Sequence, residues 1–228
     1  MLPLRDNVPT RRFPVVTVAL IAANAAVWLL YQVPDLEGSV YELGFIPCEL
    51  DGSCADQGFS WPVNILASAF AHGGWAHIIG NMLFLWIFGN NVEDALGHVR
   101  FLVFYALASV AAVALQAAVT LATASPAEAE IPMVGASGAI AGVLAAYLVL
   151  FPFARVLTLV FVFLVEVPAM LFLVTWFLLQ LWLGGFSLVT PEESGGVAFF
   201  AHIGGFVFGL VAVRFTAVNR RPGIAGPW

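Results

Sequence analysis

Six long apolar stretches restrict what this chain of 228 residues can fold into. They lie near 14–33, 74–90, 101–121, 135–151, 156–183 and 197–215. Only 10% of the residues are charged and 61% are hydrophobic, whereas about 25% are charged in ordinary soluble domains. Because about 20 apolar residues cross a bilayer as a helix, the pattern predicts an all-α membrane protein with six transmembrane helices. It excludes a soluble globular domain.

The fifth stretch is too long for one straight span. At 1.5 Å per residue, 156–183 would reach about 42 Å, against a hydrocarbon core of about 30 Å. An acidic residue next to a proline, as in Glu166 and Pro168, is typical of a helix start. We therefore expect the fifth span to begin near Pro168 and 156–165 to form an interfacial or partly buried connector. The alternative is a tilted, proline-kinked helix with Glu166 paired inside the bundle.

The distribution of charge predicts the orientation of the spans. All basic residues of the chain fall on one side of a six-span arrangement: Arg5, Arg11, Arg12, Arg100, Arg155, Arg214, Arg220 and Arg221. The opposite loops carry only acidic charges: Asp35, Glu37, Glu42, Glu49, Asp51, Asp56, Glu128, Glu130, Glu192 and Glu193. The positive-inside bias then places both termini in the cytoplasm. We expect a short cytoplasmic N-terminus at 1–13, a six-span core at 14–215 and a cytoplasmic tail at 216–228.

The first outer loop, 34–71, is too long to be a simple connection. It mixes acidic residues with apolar ones such as Phe45 and Ile46, so part of it is expected to dip into the membrane interface. Cys48 and Cys54 also lie in this loop. On an oxidising face a close pair favours a disulfide, with free thiols as the alternative. Two thiols leave zinc short of ligands, so no metal site is expected.

A serine and a histidine stand at matching depths in two of the spans. Ser137 begins the fourth stretch and His202 lies near the start of the sixth, and both spans start on the outer side. Small-xxx-small faces let helices approach closely in lipid, and each polar residue is followed by such a face: Gly138 with Gly142, and Gly205 with Gly209. If these faces pack together, Ser137 meets His202 and forms a nucleophile–base dyad. The alternative is that the glycines serve helix packing alone.

Two further polar side chains lie at the same depth in the second span. His77 and Asn81 are four residues apart, so they project from one face of a helix. Together with the Ser137 backbone N–H, they could donate hydrogen bonds to negative charge on an attacked carbonyl oxygen. The alternative is an interhelical hydrogen-bonded pair that fixes the second span. His72 precedes this span, and we expect a role in loop structure.

The segments that carry these residues closely resemble the rhomboid intramembrane serine proteases. The matching strings run from His72 to Met82, from Gly135 to Gly142 and from Val197 to Gly209. One departure is at Val63 and Asn64, where many rhomboids carry a Trp-Arg pair. The resemblance covers most of the chain from about Trp61 to Arg214.

The resemblance implies a six-helix rhomboid bundle with a long first outer loop and no cofactor or metal. It implies that Ser137 is the nucleophile and His202 the general base, with His77, Asn81 and the Ser137 backbone lining the oxyanion hole. The implied reaction is hydrolysis of peptide bonds in or next to transmembrane segments of membrane proteins. Water would reach the site from the outer face, and the fifth span would gate substrate entry from lipid.

The same residues are compatible with other functions. The main alternative is a rhomboid-like pseudoprotease that binds membrane clients without cleavage, although such relatives typically lack the serine or the histidine. A channel or transporter would need polar groups through both leaflets, and the inner halves of the second, fourth and sixth spans are almost wholly apolar. No basic patch indicates nucleic acid as a partner. The prokaryotic-type core favours a bacterial plasma membrane, with the protein's partners being the lipid bilayer and transmembrane substrates.

Overall fold

The computed structural model describes residues 2–55, 57–188 and 198–216, and most of these residues are helical. The helices are α1 (Val15–Val27), α2 (Leu36–Leu43), α3 (Pro47–Asp51), α4 (Trp61–Ala67), α5 (Trp75–Phe84), α6 (Asn90–Leu96), α7 (His98–Thr123), α8 (Pro126–Ala129), α9 (Ser137–Leu150), α10 (Ala169–Ser187) and α11 (Phe199–Thr216). Segments of π-helix, Trp28–Gln32 and Leu85–Gly89, extend α1 and join α5 to α6. The expected acidic pair Glu192 and Glu193 and the tail beyond Thr216 lie outside the described residues.

Four helices in the described residues are long and apolar enough to cross a membrane. They are Val15–Gln32, His98–Thr123, Ala169–Ser187 and Phe199–Thr216. Helix α9 has only 14 residues, so it is about 21 Å long and shorter than a hydrocarbon core of about 30 Å. The α5–α6 run carries polar side chains among its apolar ones. The chain is therefore a helical membrane protein, and the count of six spans remains a prediction.

Helix α9 lies at the centre of the bundle. Every residue from Gly138 to Tyr147 is buried, and the helix packs against α7 and α11. The small residues of α9 allow the neighbouring helices to pack closely around it. Ser137, at the N-terminal end of α9, is therefore held inside the protein and not on its lipid-facing surface.

A small antiparallel sheet occupies the end of the bundle opposite to Ser137. Strand β2 (Arg155–Val160) pairs with β3 (Phe163–Pro168), and β1 (Leu2–Asp6) pairs with the other edge of β2. The connector predicted after α9 is thus a β-hairpin, and α10 begins at Ala169, directly after Pro168, as predicted. The kinked-helix alternative is wrong, because Glu166 lies in β3 and pairs with Arg155 at 3.0 Å.

Strand β1 is tied to the far end of α9 by a carboxylate. Asp6 Oδ2 accepts hydrogen bonds from Tyr147 Oη at 2.5 Å and from Asn91 Nδ2 at 2.6 Å. Burial raises the pKa of Asp6 to about 6, although the Tyr147 hydrogen bond acts in the opposite direction. This contact joins the N-terminal segment to the helix that carries Ser137.

The first residues of α1 are held by a carboxylate from α6. Glu93 is 1% exposed and accepts from the backbone N–H groups of Val16 and Thr17 at 2.9 and 2.7 Å. It also accepts from Thr17 Oγ1 at 2.7 Å. The first N–H groups of a helix have no partner within the helix, and negative charge is stabilised there. Glu93 therefore holds the N-terminal end of α1 against α6.

The long loop packs onto the segment that precedes Ser137. Phe45 and Met133 form an antiparallel bridge, with backbone hydrogen bonds of 3.0 and 2.8 Å. Phe45 and Ile46 are 1% and 0% exposed, so these two side chains do not form part of the interfacial element predicted for the loop. Protein atoms, not lipid, cover these side chains. Within the same loop Cys48 and Cys54 form a disulfide, as predicted.

Candidate active site

Ser137 is positioned by the tight turn that leads into α9. The turn includes Gly135, whose φ of +123° lies in a region that glycine adopts far more readily than other residues. The Gly135 N–H donates to the Ser68 carbonyl oxygen at 2.8 Å, which anchors the turn to the end of the long loop. A Cβ at Gly135 would lie 2.7 Å from His77 Nε2. Glycine is therefore needed for both the backbone conformation and the close approach of His77.

Glycine contacts bring α9 and α11 together. A Cβ added to Gly205 would overlap the carbonyl oxygen of Gly138, and one added to Gly209 would overlap the carbonyl oxygen of Gly142. The two helices thus touch backbone to backbone at two points about one turn apart. The predicted packing of these glycine pairs is present, and it places the residues that precede them opposite each other.

Ser137 and His202 meet where the glycine contact ends. Ser137 Oγ lies 2.8 Å from His202 Nε2, which is a normal hydrogen-bonding distance. The Trp176 ring of α10 lies beside the imidazole, with ring centroids 5.8 Å apart. The two residues that the sequence singled out as a pair are therefore in direct contact, as the glycine spacing indicated.

The other ring nitrogen of His202 contacts a residue that sequence analysis missed. Gln180 Oε1, from α10, lies 2.8 Å from His202 Nδ1. Gln180 is 7% exposed and stands among apolar residues in a membrane-length helix. A lone amide in such a helix is a sequence signal for a buried functional position, because polar side chains there face protein or water and not lipid. No spacing pattern linked Gln180 to His202 in advance.

His77 and Asn81 approach the same site from α5. The Gly73 N–H donates to His77 Nδ1 at 3.3 Å, so in the neutral ring Nε2 carries the proton and points towards the Gly135 turn. Asn81 is 8% exposed. Among the residues that the structure describes, none accepts a hydrogen bond from Asn81 Nδ2. Two N–H donors are therefore available beside Ser137.

His72 stands behind this group and is fully buried. Its backbone forms a double hydrogen bond with the Gln32 side chain, in which His72 N–H donates at 2.8 Å and its carbonyl oxygen accepts at 3.1 Å. Its ring lies edge-on to His77, with centroids 5.0 Å apart. Burial lowers the pKa of His72 to about 4, and the neighbouring His77 acts in the same direction. These contacts join α1 to the start of α5, in agreement with the expected role in loop structure.

All the side chains of this group open onto one cavity. Its volume is about 1560 Å³, and its walls include Ser137, His202, His77, Asn81 and Gln180. The N-terminal end of a helix, here that of α9, also presents backbone N–H groups without helical partners. The cavity therefore contains a hydroxyl group that is hydrogen-bonded to an imidazole, together with several hydrogen-bond donors.

The fold and the site together define a helical membrane protein that encloses a serine–histidine pair in a cavity between its helices. The rhomboid domain family matches residues 61–218, which include every residue of the pair and of the donor group. The chain belongs to the rhomboid family, and the resemblance found in the sequence is confirmed.

Curated relatives resemble the chain over part of its length. The mitochondrial rhomboid protein 1 of Saccharomyces cerevisiae is 32% identical over 145 residues, 63% of this chain and 38% of that protein. The mitochondrial presenilin-associated rhomboid-like proteins of Mus musculus and Homo sapiens are 32% and 31% identical over 136 residues. The match spans 60% of this chain and 33% of each. The similarity thus covers only 33–38% of the length of these longer proteins.

The names of these relatives bear on the predicted location. Each is described as mitochondrial, so the comparisons give no support to the predicted bacterial plasma membrane. Several long apolar helices make the chain a membrane protein, while the identity of the membrane and the orientation within it remain predictions.

Proposed function

We propose that the protein is an intramembrane serine endopeptidase that hydrolyses peptide bonds in or next to transmembrane segments. The 2.8 Å contact between Ser137 Oγ and His202 Nε2 carries this proposal. A hydroxyl on a neutral imidazole is the minimum arrangement for an activated serine nucleophile. Membership of the rhomboid family supports the same activity.

The chemistry proceeds through an acyl-enzyme. Ser137 Oγ attacks the carbonyl carbon of the scissile bond while His202 Nε2 takes its proton. When the tetrahedral intermediate collapses, the C–N bond breaks and the imidazolium returns the proton to the leaving amine. Water, deprotonated by His202, then attacks the ester, and the proton passes back to Ser137 as the acid product leaves.

Negative charge on the attacked carbonyl oxygen is stabilised by donors already in place. The proposed donors are His77 Nε2–H, Asn81 Nδ2–H and the Ser137 backbone N–H, from residues that line the same cavity. An unpartnered buried amide such as that of Asn81 loses a hydrogen bond to water without gaining another, and an oxyanion would supply the missing acceptor. This arrangement favours the transition state over the resting enzyme.

The cavity supports a polypeptide substrate. Its volume of about 1560 Å³ exceeds the roughly 300–1,000 Å³ that is usual for small-molecule sites. Helix α9 is too short to reach both faces of the bilayer, and the proposal places its Ser137 end below the outer surface, where the cavity gives access to water. The peptide bonds of a substrate helix are hydrogen-bonded within that helix, so the helix must unwind locally before attack.

The proposed arrangement in the membrane follows the arginine distribution. Both termini lie in the cytoplasm, and the cavity opens to the outer face. Partners are transmembrane protein substrates and the surrounding bilayer, and α10 is the proposed gate for substrate entry from lipid.

Cleavage of a tagged model transmembrane substrate by purified, reconstituted protein tests the proposal. The wild type should form a discrete product, and a serine-reactive probe should label Ser137. Absence of both product and label across several transmembrane substrates would reject the protease. Specific capture of such substrates without cleavage would instead establish a client-binding pseudoprotease.

Asn81→Ala should lower kcat about 100-fold without abolishing turnover, because the other oxyanion donors remain. The matched control is Asn24→Ala on α1, where the buried Asn24 Nδ2 donates to the Leu20 carbonyl oxygen at 2.8 Å, away from the cavity. Initial rates in proteoliposomes measure both variants, with thermal unfolding recorded for each. Equal rates in the two variants, or a misfolded Asn81→Ala protein, would favour a packing role for Asn81.

A further inference from the structure

Gln180 makes a polar contact with the His202 ring that the proposed mechanism leaves unused. Its amide oxygen lies 2.8 Å from His202 Nδ1, on the side of the ring opposite to Ser137. The two contacts come from separate helices, with Ser137 on α9 and Gln180 on α10. The imidazole of α11 is thus held between two polar groups, one at each nitrogen.

The chemistry of the two contacts fixes the position of the ring proton. A carboxamide oxygen only accepts hydrogen bonds, so Nδ1 must carry the proton that it donates to Gln180. In a neutral imidazole Nε2 is then left as an acceptor, and the Ser137 hydroxyl donates to it. The opposite tautomer would place a proton on Nε2, and that nitrogen could not take the serine proton.

We propose that Gln180 is a positioning residue that holds His202 in the tautomer able to deprotonate Ser137. This inference rests on the proposed serine protease function and assigns to α10 a part in it. A neutral amide thereby takes the orienting role that a third side chain commonly has in nucleophile–base systems. Because Gln180 and His202 lie on different helices, the base is correctly set only while α10 is packed against α11.

The location of Gln180 agrees with such a role. The buried positions of α10 are Ala169, Phe172, Leu173, Gln180 and Gly184, which share one face of the helix. Gln180 is the only polar member of that set. An amide buried among apolar groups is unfavourable unless it is hydrogen-bonded, and the His202 ring supplies that partner.

The test compares Gln180→Met with Leu179→Met. Methionine keeps the length of glutamine and replaces the amide oxygen with a sulfur that accepts only weakly. Leu179 is 49% exposed, and its substitution tests the effect of a new methionine on α10. We expect Gln180→Met to lower kcat about tenfold or more, with KM within about twofold of wild type because ground-state substrate binding is untouched. Gln180→Glu keeps an acceptor at the same place and should recover most of the lost rate.

Ring ¹⁵N chemical shifts of His202 provide a readout that does not depend on proteolysis. We expect a protonated Nδ1 in wild type and in Leu179→Met, and a mixture of tautomers in Gln180→Met. A wild-type ring protonated at Nε2, or a Gln180→Met protein with wild-type kcat and tautomer, would overturn the proposal. If no variant cleaves any substrate, the ¹⁵N shifts still decide whether Gln180 sets the ring, separately from the protease function.

Discussion

Ser137→Ala is expected to abolish peptide-bond hydrolysis while leaving the fold intact. Ser137 Oγ is the atom that would bond to the substrate acyl carbon, and it lies 2.8 Å from His202 Nε2. Loss of a catalytic serine lowers kcat by about 10⁴-fold or more in comparable nucleophile–base systems. Product formation from a tagged transmembrane substrate measures the loss, and circular dichroism with thermal unfolding checks the fold.

Ser109→Ala is the matched control for this substitution. Ser109 is buried on α7, and its Oγ donates to the Ile65 carbonyl oxygen at 3.4 Å. The control should keep the wild-type rate and the serine-reactive label, both of which Ser137→Ala loses. Wild-type turnover by folded Ser137→Ala would mean that another group is the nucleophile.

His202→Ala extends this prediction to the pair. Because the base acts only through the serine, the double variant should be no slower than either single variant. Losses that multiply in the double variant would show that Ser137 and His202 contribute independently. The same kinetic assay, run on all three variants, gives that result.

The serine–histidine contact could be predicted because it follows from the local spacing of glycines after each residue. Each residue is followed by glycines four apart, and small residues at that spacing give helices a face for close contact in lipid. The predicted membrane topology also placed both residues at the same depth. The donors His77 and Asn81 followed from the same reasoning, since residues four apart share a helix face.

Other features depend on long-range contacts that no local pattern reveals. Strand β1 pairs with β2 across about 150 residues of chain, and its five residues show no periodicity that would identify a strand on their own. The apolar hairpin could be predicted as a connector. Its pairing with β1 could not be predicted. Gln180 was missed for a related reason, because its role depends on how α10 lies beside α11.

The burial of Phe45 and Ile46 under protein could not be predicted, because apolar residues in an outer loop have two ways to leave water. Phe45 and Ile46 could lie in the membrane interface or under the protein, and composition does not separate these cases. The structure places them against α7 and α8, where they help to hold the strand-like segment before Gly135. Phe45 and Ile46 therefore pack against protein next to the site, although their sequence pattern predicted contact with the membrane interface.

Gly205→Ala is expected to damage both stability and catalysis. The added methyl group would overlap the Gly138 carbonyl oxygen, and backbone atoms of a packed helix cannot move aside as a side chain can. Overpacking of this kind costs about 1–3 kcal/mol in unfolding free energy. Separation of α9 from α11 would also pull Ser137 from His202, and a misplacement of about 1 Å can cost about 100-fold in rate.

Gly185→Ala separates this effect from the general consequences of replacing a membrane-helix glycine. A Cβ at Gly185, on α10, meets no atom within 4 Å, so that variant should keep both its stability and its rate. Unfolding in mixed micelles and initial rates in proteoliposomes provide the two measurements. If the two variants behaved alike, the backbone contact would not hold the catalytic pair together. If only Gly205→Ala fails, Gly205 acts in catalysis by setting the distance between α9 and α11.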